Sequence, residues 1–335
     1  MTDQNLAIQE IARHLTGQPE ATLVPMGGGG NSRLMRVETP AGRFALKRHL
    51  RQAHDPRDRQ KTETQALAFL HAHGVTEVPR VIAVDREHGC TLLEWIEGEP
   101  VNGATTTDVD AALALIRKLY ALREVPEARH LPLASAACLS PAMLLDQVST
   151  RMDRLFQVLP QHPELAAFVR QELLLFADQS LGTMVRHCPP DELPPALRLP
   201  SPSDFGFHNA LRRPDGGIVF LDFEYFGWDD PVKLTCDFLL HPGMNLDSTL
   251  REYFANGMRE ICREDAEFEE RLTGCLPMLG LCWCMIMLNE FLQEGWERRS
   301  FAGRHETRTV ARDRQLAKAR ALLTWLRKRQ GQETK

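Results

Sequence analysis

Residues Ser203–Asp237 read SDFGFHNALRRPDGGIVFLDFEYFGWDDPVKLTCD, and this stretch sets Asp204, Asn209 and Asp222 within one short segment. Its middle has the pattern of a β-hairpin. Pro214-Asp215-Gly216-Gly217 is a strong turn signal, and apolar runs flank it. Positions 209 and 222 are symmetric about that turn. A bulge-free hairpin would therefore set Asn209 opposite Asp222, with Cβ atoms roughly 5 Å apart. An amide oxygen and a carboxylate at that separation can share a hard divalent cation. Asp204 lies five residues before Asn209, on the loop leading in. Phosphoryl transfer needs such a layout: one carboxylate for an acceptor hydroxyl, and an Asn plus an Asp for Mg²⁺.

An Asp or Asn beside a turn is ordinarily a cap, so each of the three has a bland explanation by itself. Together, and with the hairpin symmetry, they are harder to dismiss. Asp222 sits between Leu221 and Phe223 in an apolar run. A carboxylate there is costly unless it is paired or ligates a metal. Glu224 and Asp229 are placed to support the metal shell or the loop, and Asp237 to order the backbone near Asp204.

Toward the N-terminus, residues 22–50 alternate like strands, with turns at Gly27–Gly30 and Pro40-Ala41-Gly42. A glycine run lets backbone N–H groups approach phosphate, which makes Gly28, Gly29 and Gly30 candidate nucleotide contacts. One strand later comes Lys47, and sixteen residues after it Glu63, at the start of a helical run. Loop glycines and a solvated strand Lys are common. The order glycine loop, strand Lys, helix Glu is what points to a Lys held on phosphates by an ion pair. Leu92–Gly98 closes this small β-rich unit. Helical patterns follow at 106–123, 141–158 and 163–187, then a Pro-rich loop, the Asp204 segment, and helices from about 247 to 330. A small β-rich lobe joined by a short linker to a larger helical lobe has its natural cleft at the junction.

At 335 residues the chain can bury ample core, and the net charge of −5 gives no basic excess for nucleic acid or anionic membrane. The N-terminus MTDQNLAIQEIARHL lacks the apolar stretch of a signal peptide. The run Leu276–Leu288 spans 13 residues with Pro277 inside, which reads as a buried helix and not a membrane span. Eight cysteines without a C-x-x-C pair fit reduced thiols in a cytoplasmic protein.

These residues resemble the aminoglycoside phosphotransferase and choline kinase-like superfamily, which shares the protein kinase-like fold. The resemblance runs from about residue 20 to about 245. Asp204-(four residues)-Asn209, then Leu221-Asp222-Phe223-Glu224-Tyr225, carry most of it. The passage from Glu63 through Val78-Pro79-Arg80-Val81 adds to it. The resemblance implies an α+β, two-lobe kinase fold: residues 1–93 as N-lobe, 94–98 as hinge and 99–335 as C-lobe. It implies ATP and Mg²⁺ as cofactors and a small-molecule acceptor as partner. Lys47 would hold ATP phosphates with Glu63 as its pair, and Glu94–Ile96 would bind adenine. Asp204 would be the catalytic carboxylate, and Asn209 and Asp222 would hold the metal. The family usually has His two residues before the catalytic Asp, where this chain has Pro202. That departure keeps a second expectation in play, a nucleotide-binding but inactive regulatory protein. A third concerns the acceptor. The acidic segment Glu264–Glu270, with Glu290 and Glu294, would favour a cationic amino alcohol or amino sugar if it borders the acceptor, and Tyr225 and Trp228 offer aromatic faces to such a cation.

Overall fold

A computed structural model describes residues 3–26, 32–51, 55, 57–301 and 306–333. Gly28, Gly29 and Gly30 lie outside the described residues. The alternation over 22–50 becomes β1 (Thr22–Pro25), β2 (Ser32–Thr39) and β3 (Gly42–His49). With β4 (Val81–Asp85) and β5 (Cys90–Glu94) they form an antiparallel sheet in the order β1-β2-β3-β5-β4. The helix α1 (Asp3–Thr16) packs Ile8, Ile11 and Ala12 into one core with Val37, Leu46 and Leu92 of the sheet. Leu46 faces that core, so the period-two strand turns Lys47 to the opposite face. There α2 (Arg59–Ala72) begins, capped by Asp58, whose carboxylate accepts from the Lys61 amide at 2.9 Å.

Five further strands follow: β6 (Glu99–Pro100), β7 (Leu199–Ser201), β8 (Ala210–Arg212), β9 (Ile218–Phe220) and β10 (Gly227–Asp229). The remaining helices are α3 (Thr106–Ala121), α4 (Pro141–Phe156), α5 (Pro163–Phe168), α6 (Leu174–His187), α7 (Pro231–Leu240), α8 (Ser248–Ile261), α9 (Phe268–Met287), α10 (Gln293–Phe301) and α11 (Arg308–Glu333). The expected single helix over 163–187 is interrupted by a π-helical turn at Val169–Leu173. Two compact units result. The first holds residues 1–101, 209–226 and 297–305, and the second holds 102–208, 227–296 and 306–335. In the second unit α9 is the central helix and contacts α4, α6, α7 and α11. Gly280 permits the α11 contact, since a Cβ there would lie 2.5 Å from Leu326 Cδ1. The segment Phe268–Phe291 is long and apolar enough to cross a membrane, and 72% of its most apolar window is buried inside the protein.

The hairpin register differs from the expected one. Arg212 pairs with Ile218, Leu211 with Val219 and Ala210 with Phe220. The turn therefore spans residues 213–217, with Gly216 at φ +88°, a left-handed conformation that a Cβ would strain. The one-residue shift puts Leu221, not Asp222, across from Asn209: the Leu221 amide donates to the Asn209 carbonyl at 2.8 Å. Asp222 lies beyond β9 and itself takes φ +69°. Pairing β8 with β6 brings Gly98 so close that a Cβ there would sit 2.7 Å from the Arg212 carbonyl oxygen.

Candidate active site

Within the first unit, Lys47 gathers three carboxylates. Its Nζ lies 2.8 Å from Glu63 Oε1, 2.5 Å from Asp222 Oδ1 and 3.5 Å from Glu224 Oε2. The four residues come from three parts of the chain: Lys47 on β3, Glu63 on α2, and Asp222 with Glu224 on the segment after β9. Glu63 Oε1 also accepts from the Phe223 amide at 3.2 Å, so one carboxylate ties helix, strand and loop together. Lys47 is 5% exposed. Burial disfavours its charge, yet Asp222, Glu63 and Glu224 more than offset that and raise its pKa well above the usual value. The expected Lys47–Glu63 pair is thus present.

Glu224 has a larger part than its sequence position implied. Its carboxylate is fully buried, 3.5 Å from Lys47 Nζ, 3.7 Å from Arg59 Nε and 3.9 Å from His49 Nδ1. Neither Glu224 oxygen has a hydrogen-bond partner, nor do Glu63 Oε2, Arg59 Nε or His49 Nδ1. Burial, with the Asp222 charge as the next cause, pushes Glu224 up to about 7. Burial and then Lys47 push His49 down to about 3, so that imidazole is neutral. A signal existed in the sequence: Glu224 follows Asp222 by two positions in an otherwise apolar run.

Asn209 and Asp222 both belong to the first unit. An amide oxygen and a carboxylate are hard donors suited to Mg²⁺, and the Asp222 side chain keeps 27% exposure. Their expected cross-strand pairing is replaced by the shifted register described above. In the expected hinge, the Glu94 amide donates to the Arg80 carbonyl at 2.8 Å and its carboxylate accepts from the Arg80 amide at 3.2 Å. Ile96 is 7% exposed.

Asp204 lies in the second unit, just past β7. Ser203 before it has φ +67°, donates through Oγ to the Ser135 carbonyl at 3.2 Å, and donates through its amide to Ser201 Oγ at 3.0 Å. The Pro202 carbonyl accepts from the Asp204 amide at 2.9 Å. Asp204 Oδ1 is 2.9 Å from His208 Nε2 and 3.8 Å from His241 Nε2. Asp204, His208 and His241 are close enough together to suggest a metal centre. The two imidazoles, however, are stacked with centroids 3.6 Å apart and planes 15° from parallel. Stacked rings send their in-plane lone pairs out side by side and not toward one ion, so the triad is poorly formed as a metal site.

The supporting acids bind groups of the protein. Asp229 Oδ1 accepts from the Cys138 amide at 2.8 Å and the Asp230 amide at 2.9 Å. Asp237 binds Lys233 Nζ at 2.6 Å and Trp283 Nε1 at 2.8 Å. The acidic segment is largely neutralised. Glu264 pairs with Arg123, Asp265 with Arg271, Glu269 with Arg259, Glu270 with His187 and Glu294 with Arg154. Trp228 Nε1 is spent on the Ala128 carbonyl, and Tyr225 packs beside the guanidinium groups of Arg57 and Arg59. Those pairings lower the free negative charge that this segment offers to a cationic acceptor.

The model of a phosphotransferase enzyme family matches residues 22–257. Among solved structures, choline kinase LicA from Streptococcus pneumoniae superposes with a TM-score of 0.61 at 14% identity, covering 96% of this chain and 99% of that one. Spectinomycin phosphotransferase APH(9)-Ia, solved with ADP and spectinomycin, gives 0.59 at 12% identity, covering 95% and 98%. A Plasmodium vivax ethanolamine kinase gives 0.58 at 10% identity, covering 95% and 89%. These likenesses establish a kinase-like fold. No curated protein matches the chain in sequence.

Proposed function

The chain belongs to the phosphotransferase enzyme family, and from that premise we propose that it is an ATP- and Mg²⁺-dependent small-molecule kinase that transfers the γ-phosphate to a hydroxyl group. The acceptor class is an amino alcohol, a sugar derivative or an aminoglycoside-like molecule. One observation carries the proposal: the buried Lys47 clamped by Glu63 and Asp222. A catalytically degenerate protein has no need to keep that costly cluster.

In this function Lys47 binds the ATP phosphates and Glu63 orients it. Gly28, Gly29 and Gly30 contribute backbone amides, and the Glu94–Ile96 backbone meets adenine. Asn209 and Asp222 would hold Mg²⁺, which neutralises phosphate charge when bound. Asp204 orients the acceptor hydroxyl and takes its proton. Positioning and electrostatics supply most of the rate. Neighbours acting on choline, ethanolamine and spectinomycin support an alcohol acceptor. The test is a screen of acceptor alcohols for ATP consumption by purified protein with Mg²⁺. ATP consumption that depends on one acceptor class is the expected result. Tight ATP binding with no acceptor-dependent turnover would instead assign the regulatory role.

A further inference from the structure

We propose that His208, braced by His241, is a positioning residue that sets the direction of the Asp204 carboxylate. The proposal rests on Asp204 as the acceptor-side carboxylate. His208 is on the 3₁₀ turn Phe207–Asn209, and His241 is the residue that ends α7. The Gly243 amide donates to His241 Nδ1 at 3.1 Å, so in the neutral ring Nε2 carries the proton. That Nε2–H lies 3.8 Å from Asp204 Oδ1. His208 Nδ1 is buried with no partner, which a bare acceptor nitrogen tolerates, and this leaves His208 Nε2 to donate to Asp204 Oδ1 at 2.9 Å. His208 thus holds Asp204 Oδ1 by a hydrogen bond, and the His241 ring stacked on it has its Nε2 3.8 Å from the same oxygen.

The stack is itself fixed. Trp283 meets His241 edge-on at 4.7 Å, and Trp283 is held by Asp237, which is held by Lys233. Gly243 leaves the space the stack needs: a Cβ there would lie 3.0 Å from His241 Cε1 and 3.1 Å from His208 Cβ. A carboxylate gripped at Oδ1 cannot rotate freely, so Oδ2 keeps one direction. Ordering a reacting group in this way acts on turnover and not on nucleotide affinity. Pro202 stands where the family's supporting His would be, and the two imidazoles give this loop a support of its own.

Two variants test it. His208→Leu removes the donor, while His208→Gln returns an N–H near the Nε2 position. The expected result for His208→Leu is a kcat lower by about 10–100-fold, with the KM for ATP and the melting temperature unchanged. His208→Gln should recover kcat to within about threefold of wild type. A wild-type kcat in His208→Leu overturns the proposal, and so does an equal loss in both variants accompanied by a lower melting temperature. A second readout does not need turnover. NMR of the imidazole protons should show a slowly exchanging His208 Nε2 proton that shifts in Asp204→Ala, and its absence also overturns the proposal. If the wild type consumes no ATP with any acceptor, the kinase function fails while the NMR result still decides the contact.

Discussion

Asp204 and Asp229 show how a single carboxylate is read from its surroundings. Asp204 keeps 31% side-chain exposure and is directed by imidazole, an arrangement suited to meeting a substrate hydroxyl. Asp204→Ala is expected to lower kcat by about 10²–10⁴-fold while ATP affinity, measured by calorimetry, stays within about threefold. Turnover close to wild type would remove it from the reaction. Asp229 is fully buried and holds the 138 and 230 amides, which makes it a residue of the fold. Burial outweighs Lys233 and those amides and raises it to about 6. A carboxyl raised in the folded state binds its proton more tightly there than when unfolded. Its penalty is absent below the unfolded value near 3.8 and grows as pH rises through about 6. His241, lowered to about 3, works in the opposite sense over an overlapping range, so the comparison must be between variants. Asp229→Asn keeps an acceptor for both amides. Relative to wild type it should gain about 1–3 kcal/mol between pH ~4 and pH ~7, measured by urea unfolding. A difference independent of pH would show that Asp229 titrates normally.

At the scale of elements, local pattern and tertiary contact divide the legible from the hidden. Lys47 and Glu63 are legible because a strand period and a helix start are local features, and their order along the chain already implies a meeting. The hairpin is legible as a hairpin, but its register is not. Counting outward from Pro214–Gly217 assumes a symmetric four-residue turn, whereas Gly216 at φ +88° builds a five-residue turn and moves Asp222 off the strand. His241 lies 37 positions from Asp204 and approaches it only through the end of α7. No spacing rule connects the two. Glu224 is partly legible as a carboxylate in apolar company, though its partners Arg59 and His49 come from elsewhere in the fold. The close β6–β8 approach yields a prediction of its own. Gly98→Val should push these strands apart and cost about 1–3 kcal/mol by overpacking, measured by chemical denaturation. A neutral substitution would mean that the β6–β8 pair adjusts freely.

Across the whole molecule, the proposed phosphate and metal residues Lys47, Asn209 and Asp222 belong to the first unit and Asp204 to the second. Nucleotide with Mg²⁺ should therefore stabilise the first unit chiefly. At about 100 times the dissociation constant the gain is about 2.7 kcal/mol. Asp222→Asn should lose the Mg²⁺-dependent part of that gain in a thermal-shift titration. An unchanged Mg²⁺ response would remove Asp222 from the metal site. The first unit is also assembled from three separated stretches of chain. On a ribosome that arrangement sets an order of events. When residue 101 emerges, Lys47 and Glu63 are present, but Asp222 and Glu224 are more than a hundred codons away. At that stage Lys47 has only one of its three counter-charges, while the helices of the second unit are being made. Completion of the Lys47 cluster is thus a late event of synthesis, and a chain stalled before residue 222 carries the sheet without the means to finish it.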